Sequence, residues 1–182
     1  MEFRELSISG CFEILPVIFH DIRGLFVKTF QQSIFTQNHL ELPIVEDYYS
    51  MSNINVLRGL HFQAPPMDQV KLVYCVQGKI LDVFLDIRVG SPTFAQYGCI
   101  ELDSKVANMV YLPRGICHGF YVLEGPAVMV YKVSTAYSEE HDQGILWSSA
   151  NINWLAIDPI ISIRDANLPL LKDFVSPFKY SK

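Results

Sequence analysis

Short runs rich in Val, Ile, Tyr and Phe, separated by turn residues, dominate the chain from residue 12 to residue 133. β-Branched and aromatic residues favour strands, and several of the runs alternate with a two-residue period. We predict strands over residues 12–19, 25–30, 71–76, 79–87, 94–102, 109–112, 120–123 and 127–133. Gln77-Gly78 and Glu124-Gly125-Pro126 are typical of hairpin turns between such strands. Many short strands with regular turns predict an all-β, antiparallel sandwich or barrel.

Two segments do not follow this strand pattern. A weak pattern over residues 31–38 predicts one short helix. From about residue 138 onward the apolar residues, among them Trp147 and Trp154, do not alternate, and Pro159, Pro169 and Pro177 interrupt the segment. We expect residues 138–182 to form loops and short helices packed on the barrel. With 182 residues, half of them hydrophobic, residues 1–182 are predicted to form a single domain with one core.

Composition limits the partners and the compartment. The net charge of −5 disfavours a general nucleic-acid binder, although a few local arginines could still bind an anionic small ligand. No apolar run approaches the length of a membrane span, and the first ten residues do not have the pattern of a signal peptide. Four cysteines without CxxC spacing are predicted to be buried free thiols. We therefore expect a cytoplasmic protein with neither nucleic-acid nor membrane partners.

A histidine and a lysine ten residues apart are the first candidates for chemistry. His61 lies in the segment Arg58-Gly59-Leu60-His61-Phe62-Gln63, and Lys71 opens a strand-like run. Held by buried strands, such a pair suggests proton transfer beside a developing negative charge.

A second histidine indicates a particular barrel. Pro113-Arg114-Gly115-Ile116-Cys117-His118 fits the PxGxxH spacing and resembles the second motif of the cupin jelly rolls. An equally weighted alternative is a simple turn followed by a core histidine. The first cupin motif, HxH followed by Glu, is absent, since Phe62 and Gln63 follow His61. A metal needs three or four ligands in close array, so we expect neither a metal nor another cofactor.

The motifs taken in order resemble those of a known enzyme family. RGLHFQ-x-PP, KLVYCVQG, DVFLDIR-x-x-SPTF, LPRG-x-x-HGF, VYK and S-x-RD are similar to segments of the dTDP-4-dehydrorhamnose 3,5-epimerase family. The resemblance runs from Asp21 to Pro177. It implies a metal-free, cupin-type jelly-roll barrel and a nucleotide-diphosphate sugar substrate. It also implies a homodimer with exchanged N-terminal strands.

The resemblance also assigns catalytic roles. Inverting a carbon beside a ketone requires a base on one face, an acid on the other and a cation near the enolate oxygen. His61 is implied as the base, and Asp165 as the carboxylate that orients it. Tyr131 is implied as the acid, and Lys71 as the enolate stabiliser. The implied reaction is epimerisation of a nucleotide-diphosphate-4-keto-6-deoxyhexose at C3, C5 or both.

Other residues are assigned to substrate binding on the same basis. Arg58 and Arg23 are candidates for the diphosphate, because guanidinium groups bind phosphate oxygens in pairs. For Arg23 the alternative is a solvated turn residue after Asp21. His118 is expected to face the site or to lie behind His61. Substrate binding is also expected of Phe26, Gln69, Tyr137 and Arg164, the last at a position where the family often has lysine.

Three positions depart from the family pattern and bear on the nucleotide base. Lys28 replaces a glutamate, Glu46 a glutamine and Tyr48 an asparagine. Lys28 can only donate hydrogen bonds and an ionised Glu46 can only accept them, which suits cytosine better than thymine. A CDP-linked 4-keto-3,6-dideoxyhexose 5-epimerase is therefore an alternative. Equally, Lys28 and Glu46 could simply pair with each other.

Two further classes remain open at this stage. A sugar-nucleotide-binding cupin without activity would be expected to lack His61, Lys71 or Tyr131, and all three are present. A 3,4-ketoisomerase of the same barrel type would be expected to have a different histidine arrangement.

Overall fold

The computed structural model describes residues 1–181, which form eleven strands and two short α-helices. The strands are β1 (Glu2–Glu5), β2 (Phe12–Leu15), β3 (Ile18–Asp21), β4 (Gly24–Val27), β5 (Glu46–Ser52), β6 (Leu57–Gln63), β7 (Lys71–Asp86), β8 (Tyr97–Asp103), β9 (Met109–Leu112), β10 (Ile116–Val133) and β11 (Asp142–Gly144). The helices are α1 (Gln32–Gln37) and α2 (Ile163–Ala166), and three single 3₁₀ turns lie in the C-terminal segment. All ladders between these strands are antiparallel, as predicted.

Two long strands organise the molecule. β7 and β10 pair with each other along nearly their whole lengths. The first half of β7 also pairs with β9, and the second half of β10 with β5, which gives one half of the barrel. The second half of β7 pairs with β8, and the first half of β10 with β6, which gives the other half. Both halves are therefore joined through the same central pair.

The two predicted hairpin turns are wrong. Gln77-Gly78 lies inside β7 and Glu124-Gly125-Pro126 lies inside β10, where the ladder between the two strands shifts register. Gly78 has a φ of +79°, and a Cβ there would lie 2.4 Å from the carbonyl oxygen of Glu124. A glycine at positive φ serves a β-bulge as well as a hairpin turn, so the local signal does not separate the two. The irregularity bends β7 and β10 together, and neither strand reverses its direction there.

Alternation along the strands divides the apolar residues into three layers. The central layer lies between the two halves of the barrel and includes Val73, Phe84, Phe120 and Met129. A second layer covers the outside of the β6–β7–β10 half, where the C-terminal segment packs. The third layer covers the outside of the other half, beneath the N-terminal strands and α1. Along each strand, residues that pack in an outer layer alternate with residues whose side chains point into the space between the two halves.

The C-terminal segment and the single helix follow expectation. α1 falls within the predicted residues 31–38. After residue 138 the chain forms short helical turns and loops whose apolar side chains, such as Ile145, Trp154 and Phe178, are buried in the second layer. The predicted strands omitted β1, β5, β6 and β11, because these segments are short or carry many polar residues. Among residues 1–181, no helix is long and apolar enough to cross a membrane.

The β3–β4 hairpin forms a separate two-stranded sheet. Its apolar side chains are largely exposed: Phe19 is 59%, Leu25 60% and Phe26 61% exposed, and Ile22 is fully exposed. A contiguous apolar surface of this kind on a small hairpin is typical of a contact with another molecule.

Candidate active site

A cavity of about 880 Å³ opens between the two halves of the barrel. It is in the size range of sites that bind ligands of nucleotide size. Ten of the predicted site residues line it: Glu46, Tyr48, Arg58, His61, Gln69, Lys71, His118, Tyr131, Tyr137 and Arg164. These side chains come from four strands, β5, β6, β7 and β10, from two loops and from α2, so the fold gathers residues that are up to 118 positions apart.

His61 and Asp165 form a hydrogen-bonded pair at one wall. His61 Nε2 lies 2.8 Å from Asp165 Oδ1, and the backbone N–H of Gly59 donates to Asp165 Oδ2 over 3.1 Å. Ser162 caps α2 by accepting from the backbone N–H of Asp165 over 3.0 Å, which fixes the start of the helix that carries the carboxylate. His61 is partly exposed, whereas Asp165 is buried behind it. The imidazole therefore faces the cavity while the carboxylate orients it.

The charge on Asp165 is stabilised by these partners. Burial raises its pKa, but the hydrogen bond and the charge of His61 lower it, as does the N–H of Gly59. The net pKa lies below the usual range of an aspartate. An ionised carboxylate on Nε2 accepts the proton of that nitrogen, which leaves Nδ1 of a neutral imidazole unprotonated and able to act as a base.

Lys71 is buried beside this pair. Its ammonium makes one long hydrogen bond, 3.4 Å to the carbonyl oxygen of His61, and no other within residues 1–181. Burial lowers the pKa of Lys71, and the nearby Cys117, Asp142 and Asp82 oppose that shift. An ammonium has three donors, so Lys71 retains donors for a ligand oxygen in the cavity.

Tyr131 projects from the second half of β10 into the same cavity. Its hydroxyl lies 3.5 Å from Ser50 Oγ, the limit of a hydrogen bond. Burial raises the pKa of Tyr131, so the phenol is neutral over the physiological range and carries a proton that it can donate.

His118 and Asp82 form a second, fully buried pair. His118 Nε2 lies 2.7 Å from Asp82 Oδ2. The two histidines are register partners in the β6–β10 ladder, so His118 lies beside His61 and also lines the cavity. Burial raises the pKa of Asp82, although His118 and Lys71 counteract this. Its second oxygen, Oδ1, is buried and has no hydrogen-bond partner among residues 1–181.

Two glycines permit the close approach of β6 and β10 at this point. A Cβ on Gly59, whose φ is +128°, would lie 2.5 Å from the Cα of Gly119. A Cβ on Gly119 would lie 2.7 Å from the carbonyl oxygen of Arg58. Any other residue at Gly59 would push the strands apart and would also displace the N–H that binds Asp165.

Two arginines, Arg58 and Arg164, also line the cavity. Arg58 donates through Nε to Ser52 Oγ over 2.9 Å and through Nη2 to the carbonyl of Met51 over 3.3 Å. These bonds hold the guanidinium at the cavity wall and leave further donors free for an anion. Arg164 binds Asp142 Oδ2 over 2.7 Å, and Tyr137 donates to the same oxygen over 3.4 Å. Gln69 is fixed by its bond to the carbonyl of Thr135, 2.8 Å away.

Three predicted binding residues lie elsewhere in this chain. Arg23 and Phe26 are on the exposed β3–β4 hairpin and border a separate groove, and Lys28 follows β4. Arg23 binds Asp21 over 2.5 Å, as the alternative of a solvated turn residue expected. Among residues 1–181 no ion pair joins Lys28 to Glu46. Lys28 therefore does not form one base pocket with Glu46 and Tyr48 within a single chain.

Sequence reasoning missed several polar partners, among them Ser52, which accepts from Arg58. Asp82, Asp142 and Ser50 each contact a predicted site residue. For Asp82 a signal existed, since a carboxylate in the apolar run ILDVFLD must have a partner when it is buried. Ser50 and Asp142 carry no comparable sequence signal. Within the described part of the chain, no group of three His, Cys, Asp or Glu side chains is placed to hold a metal.

Comparisons with known proteins agree on one family. The family model described as dTDP-4-dehydrorhamnose 3,5-epimerase matches residues 5–173. A dTDP-4-dehydrorhamnose 3,5-epimerase of Sinorhizobium fredii is 38% identical over 186 residues, covering 100% of this chain and 95% of the relative. That of Shigella flexneri is 41% identical over 155 residues, covering 84% and 86%.

A solved structure supports the same relationship. The crystal structure of dTDP-6-deoxy-D-glucose-3,5-epimerase from Legionella pneumophila, in complex with dTDP-4-keto-L-rhamnose, matches with a TM-score of 0.94 and 32% identity. The match covers 99% of both chains. The predicted cupin-type jelly-roll class and the predicted family resemblance are confirmed by these matches. The chain belongs to the dTDP-4-dehydrorhamnose 3,5-epimerase family.

Proposed function

We propose that this protein epimerises a dTDP-linked 4-keto-6-deoxyhexose at C3 and C5. The observation that carries the proposal is the convergence of His61, Lys71 and Tyr131 on one cavity, with Asp165 behind the histidine. This set supplies a base, a cation and a neutral acid, which are the three parts that inversion beside a ketone requires.

The inversion at each carbon proceeds in two proton transfers. His61 takes the proton from the carbon next to the ketone, and the electron pair moves to the ketone oxygen to give an enolate. The Lys71 ammonium donates to that oxygen, where a charge in a buried site is more effective than in water. Tyr131 then gives its phenol proton to the opposite face of the carbon. The phenolate recovers a proton from solvent, and the His61 imidazolium releases its proton to solvent. No redox partner is needed, because the substrate and product have the same oxidation state.

We propose that the diphosphate binds at Arg58, and that Gln69, Tyr137, Arg164 and His118 border the rest of the substrate. Arg58 is already held in place by Ser52 and Met51, so little side-chain freedom is lost when an anion binds.

The nucleotide is proposed to be dTDP, and the CDP-linked alternative is not favoured, because the matched relatives are named for dTDP sugars. Glu46 and Tyr48 remain departures from the family pattern at the cavity. Calorimetric titration with dTDP and with CDP tests this choice, and tighter binding of CDP would overturn it.

We further propose a homodimer in which the β3–β4 hairpin of one copy completes the cavity of the other. The exposed Phe19, Leu25 and Phe26 support this arrangement, as does the separation of Arg23 and Lys28 from the cavity in a single chain. Co-expression of the Arg23→Ala and His61→Asn chains tests it. Mixed dimers would contain one intact site of two, so about a quarter of wild-type activity is expected in the mixture. Activity no greater than the average of the two separate variants would contradict the arrangement.

The single-domain organisation of residues 1–182 and a cytoplasmic location stay as proposals. All four cysteines among the described residues are free, and only Cys99 is exposed, which suits a reducing compartment.

The decisive experiment is solvent deuterium incorporation followed by NMR. A purified protein incubated in D₂O with a dTDP-4-keto-6-deoxyhexose is expected to label C3 and C5 and to invert both. A binding protein without activity would label neither carbon, and a ketoisomerase would move the carbonyl. Label at C5 alone would contradict inversion at C3.

A further inference from the structure

The hydroxyl of Tyr131 is weakly held by the protein. Its one hydrogen bond within residues 1–181 is the 3.5 Å contact with Ser50. A donor that must deliver its proton to a substrate benefits from such freedom, but its ring must then be oriented by packing. Two rings contact it: the imidazole of His118 meets it edge-on at 6.2 Å, and the ring of Tyr48 stacks on it.

The stacking of Tyr48 on Tyr131 is close and nearly parallel. The ring centroids are 4.9 Å apart and the planes differ by 14°. The two residues are direct register partners in the β5–β10 ladder, so the backbone sets the stack. At the next register position Asp47 pairs with Lys132, which holds the two strands together beside the rings. Tyr48 is 43% exposed and borders the cavity, so one face of its ring covers Tyr131 and the rest is open.

We propose that Tyr48 is a positioning residue that holds the ring of Tyr131 where it can reprotonate the enolate. The inference rests on the proposed epimerase function and adds a role for a residue outside the predicted acid, base and cation. Stacked aromatic pairs stabilise each other beyond the area that they bury, which favours one ring orientation. Asparagine, expected at this position from the family pattern, has no ring to stack.

The role has a specific chemical consequence. After His61 removes the proton, the enolate has two fates. Tyr131 can protonate the opposite face, which gives product, or His61 can return a proton to the original face, which regenerates substrate. His61 is partly exposed and exchanges its proton with solvent, so the second fate in D₂O places deuterium in recovered substrate. A misplaced Tyr131 ring slows only the first fate.

The test is the partition of deuterium between product and recovered substrate. In Tyr48→Asn we expect product formation to fall about tenfold or more, because small displacements of a reacting group have large effects on rate. The ratio of labelled substrate to labelled product is expected to rise by a similar factor, with KM little changed. Tyr48→Phe keeps the stack and is expected to give the wild-type ratio.

Controls separate positioning from folding. Tyr49→Asn makes the same change on the next residue of β5, which is 70% exposed and is not among the residues that border the cavity. It is expected to leave the ratio unchanged. Tyr48→Leu fills space without a flat ring, and it is expected to shift the ratio as Tyr48→Asn does even if the asparagine variant is poorly folded.

Two results would overturn the inference. A wild-type ratio in both Tyr48→Asn and Tyr48→Leu, or a rise in KM with product and exchange reduced together, would show that the ring does not position Tyr131. In either case the proposed function stands as long as the wild-type enzyme epimerises its substrate. Absence of any exchange by wild-type protein would instead remove the proposed function and this inference with it.

Discussion

Asp165→Asn replaces a carboxylate by an amide of the same shape at the wall of the cavity. The backbone N–H of Gly59 donates to Asp165 Oδ2, so the asparagine must present its oxygen to Gly59 and its NH₂ to His61. His61 Nε2 would then have to accept a hydrogen bond, and the proton of the neutral imidazole would move to Nδ1. Nδ1 is the nitrogen that faces away from the carboxylate, and it could no longer take a proton from the substrate.

The size of the effect follows from these contacts. A hydrogen bond to a charged group is worth about 1.5–3 kcal/mol, which corresponds to a loss of about 10- to 100-fold in rate if only that stabilisation of the imidazolium is removed. The wrong tautomer adds to this loss, and in triads of similar geometry the total reaches about 10⁴-fold. Because the amide keeps the bond to Gly59, the free energy of unfolding is expected to change by no more than about 1–3 kcal/mol.

Two measurements check this reasoning together. Deuterium exchange into a dTDP-4-keto-6-deoxyhexose reports proton removal directly, and urea denaturation reports stability. We expect exchange at both carbons to fall by at least about 100-fold while the protein stays folded. Exchange within a factor of about two of wild type would refute the argument, because it would mean that His61 needs neither the charge nor the tautomer that Asp165 imposes.

Three further predictions concern Tyr131, Lys71 and Arg58. Tyr131→Phe removes the proposed acid but is expected to cost little stability, because the hydroxyl makes only a 3.5 Å contact with Ser50. Product formation is expected to fall about 10²- to 10⁴-fold while labelled substrate still forms. An equal loss of product and of labelled substrate would contradict the role of Tyr131 as the acid. Lys71→Met is expected to lose activity and yet to resist urea better at neutral pH, by about 1–3 kcal/mol. Burial lowers the pKa of Lys71, so the penalty on the charged form is present at neutral pH and disappears as the pH rises towards 10.5, and the advantage of the variant should shrink over that range. Arg58→Lys keeps the charge but loses the fork of donors, so calorimetry is expected to show dTDP binding weakened about tenfold, and unchanged affinity would place the diphosphate elsewhere.

The sequence carried a large part of this structure. Alternating and apolar runs predicted an antiparallel β fold correctly, and the change of pattern near residue 138 predicted the C-terminal packing. The pattern did not give the ends of the strands. Gly78 and Gly125 marked breaks in the pattern correctly, but a glycine in such a break fits a bulge and a hairpin equally. The sequence therefore could not show that β7 and β10 continue through them.

The candidate site was likewise predictable only in part. RGLHFQ identified His61, and the family resemblance supplied Lys71, Tyr131 and Asp165, none of which spacing alone distinguishes from ordinary core residues. The contact between Asp82 and His118 spans 36 positions, and the stack of Tyr48 on Tyr131 spans 83. Neither pair has a local signature, because each depends on strand register.

The sequence by itself therefore determined the fold class, the family and the chemical types of the candidate catalytic groups, since these follow from side-chain pattern and motif. Only the tertiary structure decided which groups meet. It placed Asp165 behind His61, left Arg23, Phe26 and Lys28 outside the cavity of their own chain, and put a second ring on Tyr131. The physical reason is that a ladder shifted by one residue turns every side chain to the opposite face, and register is set by the packing of all strands together.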